Sequence, residues 1–280
     1  MKVNETYTPT YNQQALSIIQ YSGSDPSIIQ RLAQVKVAVI DEGITAQSLN
    51  FIKLRQYQSN ELPSHGTVIA NLLGANLDTN KGYKGLMPDL PLYGYSLSSD
   101  EMDTVGLIKA IKTAINWNVD IIAISMGTNK DNDDLENTVK DAVDHGIVVI
   151  CSAGNDPYEE NYPASFDIPG VISVGAIGND YNILPYTNVS SKIDIYAPGE
   201  NIVSLSSDNS EPIEYSGTSV AVPFITLACI YIKAYSPSLD PTEVESYLIQ
   251  QTDVYLAKWR NEQREVCLLD MAQLMKSLNV

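Results

Sequence analysis

The chain has 280 residues, 44% of them hydrophobic, so it can bury a large core, and its length fits one α/β domain better than several small ones. Its 34 Asp and Glu residues against 17 Lys and Arg residues give a formal net charge of -17. This charge repels phosphate backbones and anionic membranes, which argues against nucleic-acid and membrane partners. It favours a cationic peptide as a partner, although an acidic balance also serves solubility alone.

The amino terminus and the cysteines bear on the cellular compartment. Residues 1–34 contain no basic segment followed by a long apolar run, so we predict no signal peptide. The three cysteines are odd in number and lie in apolar runs, which favours reduced thiols: Cys151, Cys229 and Cys267. We therefore expect a cytoplasmic protein, with residues 1–34 flanking a domain of residues 35–280. A leader or pro-domain missing from this sequence would make it secreted instead.

The first predicted elements carry two polar side chains at their ends. An apolar, β-branched run at residues 35–40 predicts a buried strand that ends at Asp41. From His65 onwards, apolar residues at helical spacing predict a helix with His65 in its first turn. A carboxylate at the end of a buried strand is a candidate site residue, and the alternative is that Asp41 merely caps a turn.

Strands and helices alternate through the middle of the chain. Apolar runs predict strands at residues 90–97, 119–126, 147–153 and 171–177. Amphipathic stretches predict helices at residues 103–116 and 132–145, the second ended by Gly146. Strands that are apolar on both faces and alternate with helices indicate a mostly parallel sheet with helices on both sides, a three-layer α/β fold.

Site residues of such sheets gather at the carboxyl ends of the strands. Asp41, residues 126–128 and residues 152–155 all lie at the carboxyl ends of predicted strands, so we expect them at one edge of the sheet. Ser219 is predicted to begin an apolar helix that tolerates Pro223 near its first turn.

Beyond Asp240, two further amphipathic stretches predict helices packed on the side of the domain. They span residues 241–252 and 268–278.

Four segments in a fixed order resemble the subtilisin family of serine proteases. They are VAVIDEG around Asp41, HGTVIAN from His65, SAGN ending at Asn155 and YSGTSVAVP around Ser219. The resemblance runs from about residue 35 to 250 and implies a subtilisin-like fold and hydrolysis of peptide bonds. It also implies the roles: Ser219 is the nucleophile, His65 the general base, Asp41 the residue that orients the imidazole, and Asn155 an oxyanion-hole donor.

These residue types suit the implied chemistry. A serine hydroxyl is a poor nucleophile at its own pKa and needs an adjacent base. The chain has two histidines, and His145 ends a predicted surface helix where a cation suits the helix dipole, so His65 is the candidate base. Asn155 after a glycine would otherwise be a turn residue. The backbone N–H of Ser219, at a helix start, is the expected second oxyanion donor.

The chain departs from the family pattern near these positions. Glu42 stands where Ser or Thr is usual, and its negative charge is expected to raise the pKa of His65. Four apolar replacements are interpreted as packing changes that remove no proton-transfer group: Val68, Val220, Val222 and Phe224.

We predict no required metal and no cofactor. The short segment between Asp41 and His65 leaves little room for the calcium-binding loop expected of the family. Asp131, Asp133 and Asp134 lack the Gly and final Glu of an EF-hand and are interpreted as an acidic helix start.

The resemblance also assigns a substrate groove. One wall is expected to pair with the extended substrate and comprises Ser125, Met126 and Gly127. The opposite wall of the primary pocket comprises Ser152, Ala153 and Gly154. Asn161 is expected to form the pocket floor, which predicts a polar or basic residue before the scissile bond because carboxylates lie nearby: Asp156, Glu159 and Glu160. A second acidic group flanks the substrate or starts a helix: Asp100, Glu101 and Asp103.

Three functions fit this sequence. The lack of a signal and a folded pro-domain resembles cytosolic peptidases that remove the leader from lantibiotic (lanthipeptide) precursors, which we favour. The alternative is a broad intracellular subtilisin-type protease. The non-enzymatic alternative is a peptide-binding pseudoprotease, against which all four catalytic positions are filled. The expected partner is a peptide or protein substrate, and the enzyme is expected to be a monomer.

Overall fold

A central sheet of nine strands organises the computed structural model, which describes residues 11–45, 49–55, 65–75, 83–88, 90–189, 193–205 and 212–280. The strands are β1 Val37–Glu42, β2 Phe51–Arg55, β3 Leu92–Leu97, β4 Ile121–Ile124, β5 Val148–Ser152, β6 Val171–Ile177, β7 Ile195–Pro198, β8 Ile202–Leu205, β9 Pro212–Tyr215, β10 Thr252–Trp259 and β11 Glu262–Leu269. The helices are α1 Gln13–Ile18, α2 Pro26–Leu32, α3 His65–Gly74, α4 Thr104–Asn116, α5 Asp133–Asp144, α6 Val222–Tyr235, α7 Pro241–Ile249 and α8 Met271–Ser277.

The sheet is parallel except at one end. Its order is β10-β11-β7-β6-β5-β4-β1-β3-β2, and among the described strands of this sheet only β10 and β11 pair antiparallel. β8 and β9 form a separate antiparallel pair. The predicted three-layer α/β fold is confirmed.

Successive side chains of the central strand β1 pack alternately against the helical layers on the two faces of the sheet. Val37 and Val39 join the core that includes α3, α6, α7 and α8, whereas Ala38 and Ile40 join the core beneath α4 and α5. All four side chains are fully buried. A strand buried on both faces favours apolar residues at successive positions, which explains the continuous apolar run that precedes Asp41 in the sequence.

The carboxyl-terminal region differs from the prediction. α7 ends at Ile249 and α8 begins at Met271, so residue 252 and residues 268–269 lie in strands rather than in the predicted helices. The hairpin β10–β11 between them was not predicted. Its strand β10 leaves Val254 and Leu256 exposed, so the apolar pattern lacks the alternation that would indicate a half-buried strand.

The segment around Ser219 also differs from the prediction. α6 begins at Val222, and Ser219 lies in the turn that leads into it rather than at the first helical residue. Pro223 occupies the second helical position, where its missing N–H needs no intrahelical partner, and this places the helix start after Ser219.

The segment before β1 packs against α6. The Ser24 hydroxyl hydrogen-bonds to the hydroxyls of Tyr21 and Tyr231, each at 2.6 Å, and all three side chains are buried. The guanidinium of Arg31 stacks on the ring of Tyr235 at 4.6 Å. Residues 11–34 thus share a core with α6, and the boundary at residue 34 stays a prediction.

The end of α5 agrees with the prediction. Gly146 follows α5 with a φ of 78°, as expected for a residue that ends a helix.

None of the three cysteines forms a disulfide; Cys151 and Cys229 are buried, and Cys267 is partly buried. Burial raises the pKa of the Cys151 and Cys229 thiols. No helix in the described parts of the chain has both the length and the apolar content to cross a membrane.

Candidate active site

A buried carboxylate and an imidazole meet at the carboxyl end of β1. Asp41 is fully buried, and its Oδ1 accepts hydrogen bonds from the backbone N–H of Glu42 at 2.7 Å and from Nδ1 of His65 at 2.8 Å. Within the described residues, Oδ2 of Asp41 makes no hydrogen bond. A carboxylate accepts, so Nδ1 carries the proton and the Nε2 of a neutral imidazole keeps its lone pair.

Gly66 permits this contact. A Cβ atom on Gly66 would lie 2.5 Å from the backbone oxygen of Glu42 and 2.7 Å from Cβ of Asp41. A larger residue would push the start of α3 away from β1. The glycine therefore brings His65, the preceding residue, within reach of Asp41.

The electrostatic surroundings favour the protonated imidazole. The negative charge of Asp41 raises the pKa of His65 above its ordinary value, while partial burial acts in the opposite direction. The hydrogen bond to Asp41 and the charge of Glu42 raise it further, so the direction predicted for Glu42 is confirmed. His65 keeps 31% of its side chain exposed and can be reached by a substrate.

Ser219 lies beside the end of β4. Its hydroxyl donates to the backbone oxygen of Ser125 at 2.9 Å, and the Ser125 hydroxyl donates to the backbone oxygen of Ser219 at 3.2 Å. The Ser219 hydroxyl makes no hydrogen bond to His65 in the part of the chain described. Rotation about χ1 of Ser219 is the movement that would turn Oγ away from Ser125.

Thr218 fixes the orientation of the Asn155 amide. The Oδ1 atom of Asn155 accepts from the backbone N–H of Thr218 at 3.0 Å and from its hydroxyl at 3.2 Å. A backbone N–H can only donate, so Oδ1 must face Thr218 and Nδ2 must point the other way. Asn155 is exposed, which leaves Nδ2 available to an external acceptor.

The predicted pocket residues come together around Asn161. Its Nδ2 donates to the backbone oxygen of Ser152 at 2.8 Å. A Cβ atom on Gly127 would lie 2.4 Å from Oδ1 of Asn161, and one on Gly154 would lie 2.9 Å from its Cβ. Asn161 thus lies between Gly127 of one predicted wall and Ser152 and Gly154 of the other. The remaining wall residues are the buried Ser125 and Ala153 and the half-buried Met126.

The second acidic group has structural partners. Glu101 pairs with Arg55 at 2.8 Å, and this hydrogen bond holds the pKa of Glu101 at about 2. Asp103 caps α4 by accepting from the backbone N–H of Gly106 at 2.8 Å. Asp100 is exposed. For Asp103, starting a helix is therefore the observed role.

No group of three or more His, Cys, Asp or Glu residues able to hold a metal ion occurs among the residues that the structure describes. Asp133 and Asp134 lie in the first turn of α5, which Asn132 caps. The absence of a metal requirement stays a prediction.

Sequence reasoning missed two contributors to the site. The role of Thr218 in orienting Asn155 was not predicted, although Thr218 directly precedes the candidate nucleophile Ser219 in the sequence. The second contributor is Asn188. Its backbone N–H donates to the backbone oxygen of Gly154 at 2.9 Å, and its side chain donates to the backbone oxygen of Glu159. No motif around Asn188 in the sequence indicated this role.

Comparison with known proteins gives matches in sequence and in structure. The model of the subtilase family matches residues 33–266. The major intracellular serine protease of Bacillus subtilis (strain 168) is 34% identical over 202 residues, covering 67% of this chain and 62% of that protein. This chain thus aligns with less than two thirds of that relative. An intracellular serine protease of Paenibacillus polymyxa is 31% identical over 244 residues, covering 78% of this chain and 74% of that protein.

Two solved structures share the fold. The prenylagaramide maturation protease PagA gives a TM-score of 0.74 at 22% identity, covering 89% of this chain and 98% of that one. Sphericase gives a TM-score of 0.67 at 21% identity, covering 89% and 91%. The family model spans most of the chain, and the relatives agree with it, so the chain belongs to the subtilase family.

Proposed function

We propose that this chain is a serine endopeptidase in which Asp41, His65 and Ser219 act as the catalytic triad. The observation that carries the proposal is the 2.8 Å hydrogen bond between Asp41 and His65, because it orients a base at the edge where Ser219 lies. Membership in the subtilase family and the serine protease relatives support it.

In the proposed reaction, Ser219 Oγ turns towards His65 and loses its proton to Nε2 as it bonds to the scissile carbonyl carbon. The buried Asp41 carboxylate stabilises the imidazolium that forms. Nδ2 of Asn155 and the backbone N–H of Ser219 would donate to the oxyanion. The imidazolium then protonates the leaving amine as the C–N bond breaks, and water hydrolyses the resulting acyl-enzyme.

Labelling by a fluorophosphonate tests this proposal directly, because the reagent bonds to an activated serine. We expect the wild-type chain to be labelled, and the Ser219→Ala and His65→Ala variants to remain unlabelled. Asn155→Ala should keep the label but lose about 10²–10³ in turnover, the loss known from subtilisin itself. Absence of label on the wild type would favour the alternative of a peptide-binding pseudoprotease, in which the Ser219 hydroxyl stays hydrogen-bonded to the backbone oxygen of Ser125.

The pocket supports a preference before the scissile bond. Nδ2 of Asn161 is used by Ser152, so its Oδ1 is the atom that faces Gly127 and can accept a hydrogen bond. Burial chiefly raises the pKa of Tyr162, the residue after Asn161, and the negative charges of Asp131 and Glu160 raise it further, so two carboxylates act close to Asn161. We propose substrates whose side chain at this position donates a hydrogen bond, with Lys and Arg favoured by charge.

Two substitutions at Asn161 test this preference. Asn161→Asp adds a charge at the same place and should increase the ratio of kcat/KM for Lys over Leu before the scissile bond by about tenfold. Asn161→Leu removes the acceptor and should reverse the ratio. The measurement is cleavage of matched peptides that differ only at this position, and an unchanged ratio in both variants would contradict the proposed pocket.

We further propose a dedicated processing role, namely removal of the leader from a lanthipeptide precursor. A pocket floor occupied by an amide admits fewer side chains than an open cleft, and the fold resembles that of a maturation protease. The intracellular serine protease relatives favour the second candidate, broad protein degradation. A diverse peptide library read by mass spectrometry separates the two: narrow Ser219-dependent cleavage supports processing, and broad cleavage supports degradation.

A further inference from the structure

The tip of the hairpin β10–β11 reaches the loop that follows Asn155. Arg260, in the turn between the two strands, has a positive φ of 54°. Its Nη1 donates to the hydroxyl of Tyr158, while Nε and Nη2 donate to the backbone oxygen of Pro185 at 3.2 and 3.0 Å. One guanidinium therefore ties together three segments that are far apart in the sequence.

Aromatic contacts reinforce this tie. The guanidinium carbon of Arg260 lies 5.1 Å from the ring centre of Tyr158 and 4.7 Å from that of Trp259. The two rings meet edge to face at 6.3 Å. Trp259 is buried, whereas Tyr158 is 72% exposed, so the exposed ring is held from the side of the hairpin.

Tyr158 belongs to the loop of residues 156–161, which ends at the pocket floor residue Asn161. The loop is also held at Glu159 by Asn188, and beyond its end Tyr162 pairs with Thr128 through backbone hydrogen bonds at 2.8 and 3.0 Å. Arg260 thus holds the part of the loop nearest Asn155. Without Arg260, Tyr158 would keep its ring contact with Trp259 and the loop its turn from Asp156 to Glu159, but the hydrogen bond to the Tyr158 hydroxyl would be lost.

We propose that Arg260 is a positioning residue: it fixes loop 156–161 and thereby the pocket that receives the substrate side chain. This inference rests on the proposed endopeptidase function. Among the described residues, Arg260 makes no hydrogen bond or ion pair with Asp41, His65 or Ser219. Its loss should therefore weaken peptide binding and leave the chemical step intact, which raises KM without lowering kcat.

The planar guanidinium matters for this role. It donates in several directions at once and stacks on rings, whereas a lysine ammonium offers a compact charge without this fork. Arg260→Lys is therefore expected to resemble Arg260→Ala. Arg264 provides a matched control, because it stacks on the same Trp259 ring at 4.9 Å but pairs with Glu262 and has no described contact with loop 156–161.

The test uses the full chain and measures kcat and KM for peptides, with active sites counted by fluorophosphonate labelling. Arg260→Ala and Arg260→Lys should raise KM about 3- to 10-fold, the range expected if the loosened loop costs substrate binding about as much as one net hydrogen bond. Turnover per labelled site and the labelling rate should stay unchanged. Arg264→Ala should have the KM of the wild type.

A second variant covers the case in which Arg260→Ala fails to fold. Tyr158→Phe keeps the ring and removes only the hydroxyl that Arg260 contacts, and it should also raise KM. A wild-type KM in Tyr158→Phe or in a folded Arg260→Ala, an equal rise in Arg264→Ala, or a fall in turnover per labelled site would overturn the inference. An unlabelled wild type would instead refute the proposed function.

Discussion

Glu42 adjusts the proposed base without contacting it by a described hydrogen bond. Its backbone N–H donates to Asp41, and its charge adds to the pKa increase of His65 that Asp41 chiefly causes. Because His65 must be neutral to accept a proton, a raised pKa moves the acid limb of the kcat/KM profile to higher pH. Below that pKa the imidazole is protonated and the enzyme should be inactive.

Glu42→Gln tests this effect at the scale of one residue. Removing the charge keeps the backbone hydrogen bond to Asp41, lowers the pKa of His65 and should shift the acid limb to lower pH by about 0.3–0.5 units. The measurement is kcat/KM between about pH 5 and 9. Glu265→Gln, an exposed site on β11, is the control, and an equal shift in both variants would assign the effect to overall charge.

At the scale of elements, the segment before β1 and helix α6 share a buried hydroxyl chain. Ser24 links Tyr21 to Tyr231, so loss of its hydroxyl would leave both phenol groups without this partner. Burying polar groups without partners is more costly than losing a hydrogen bond exposed to water. The amino-terminal segment therefore contributes to the packing of the helix that follows Ser219.

Ser24→Ala should lower the free energy of unfolding by about 1–3 kcal/mol. Urea denaturation followed by circular dichroism measures the change, and Ser17→Ala on the exposed side of α1 is the matched control. If Ser24→Ala were as stable as Ser17→Ala, the hydroxyl chain would not stabilise the fold.

At the scale of the whole molecule, the net charge of -17 creates a field that acts on substrates before they bind. Raising the salt concentration from about 0.01 to 1 M shortens the Debye length from ~30 to ~3 Å. We expect kcat/KM for a lysine-rich peptide to fall several-fold over this range, while a neutral peptide of equal length changes little. Equal salt dependence for both peptides would show that the charge serves solubility alone.

The hydrophobic pattern of the sequence was sufficient to predict the central strands of the sheet. It was also sufficient to place Asp41 at the end of a strand and His65 at the start of a helix. Each strand is buried on both faces, so its apolar run is visible in the sequence, and the strand ends predict one shared edge. The hairpin β10–β11 escaped prediction because its exposed apolar residues, Val254 and Leu256, break the alternation of a half-buried strand.

The sequence by itself therefore determined the fold class, the family resemblance and the candidate residues, because these depend on local periodicity and short motifs. Only the tertiary structure decided the orientation of the Asn155 amide, the hydrogen bond from Ser219 to Ser125 and the contact of Arg260 with Tyr158. Each of these depends on atoms contributed by segments more than 60 positions apart, whose mutual placement arises from packing and leaves no periodic signal.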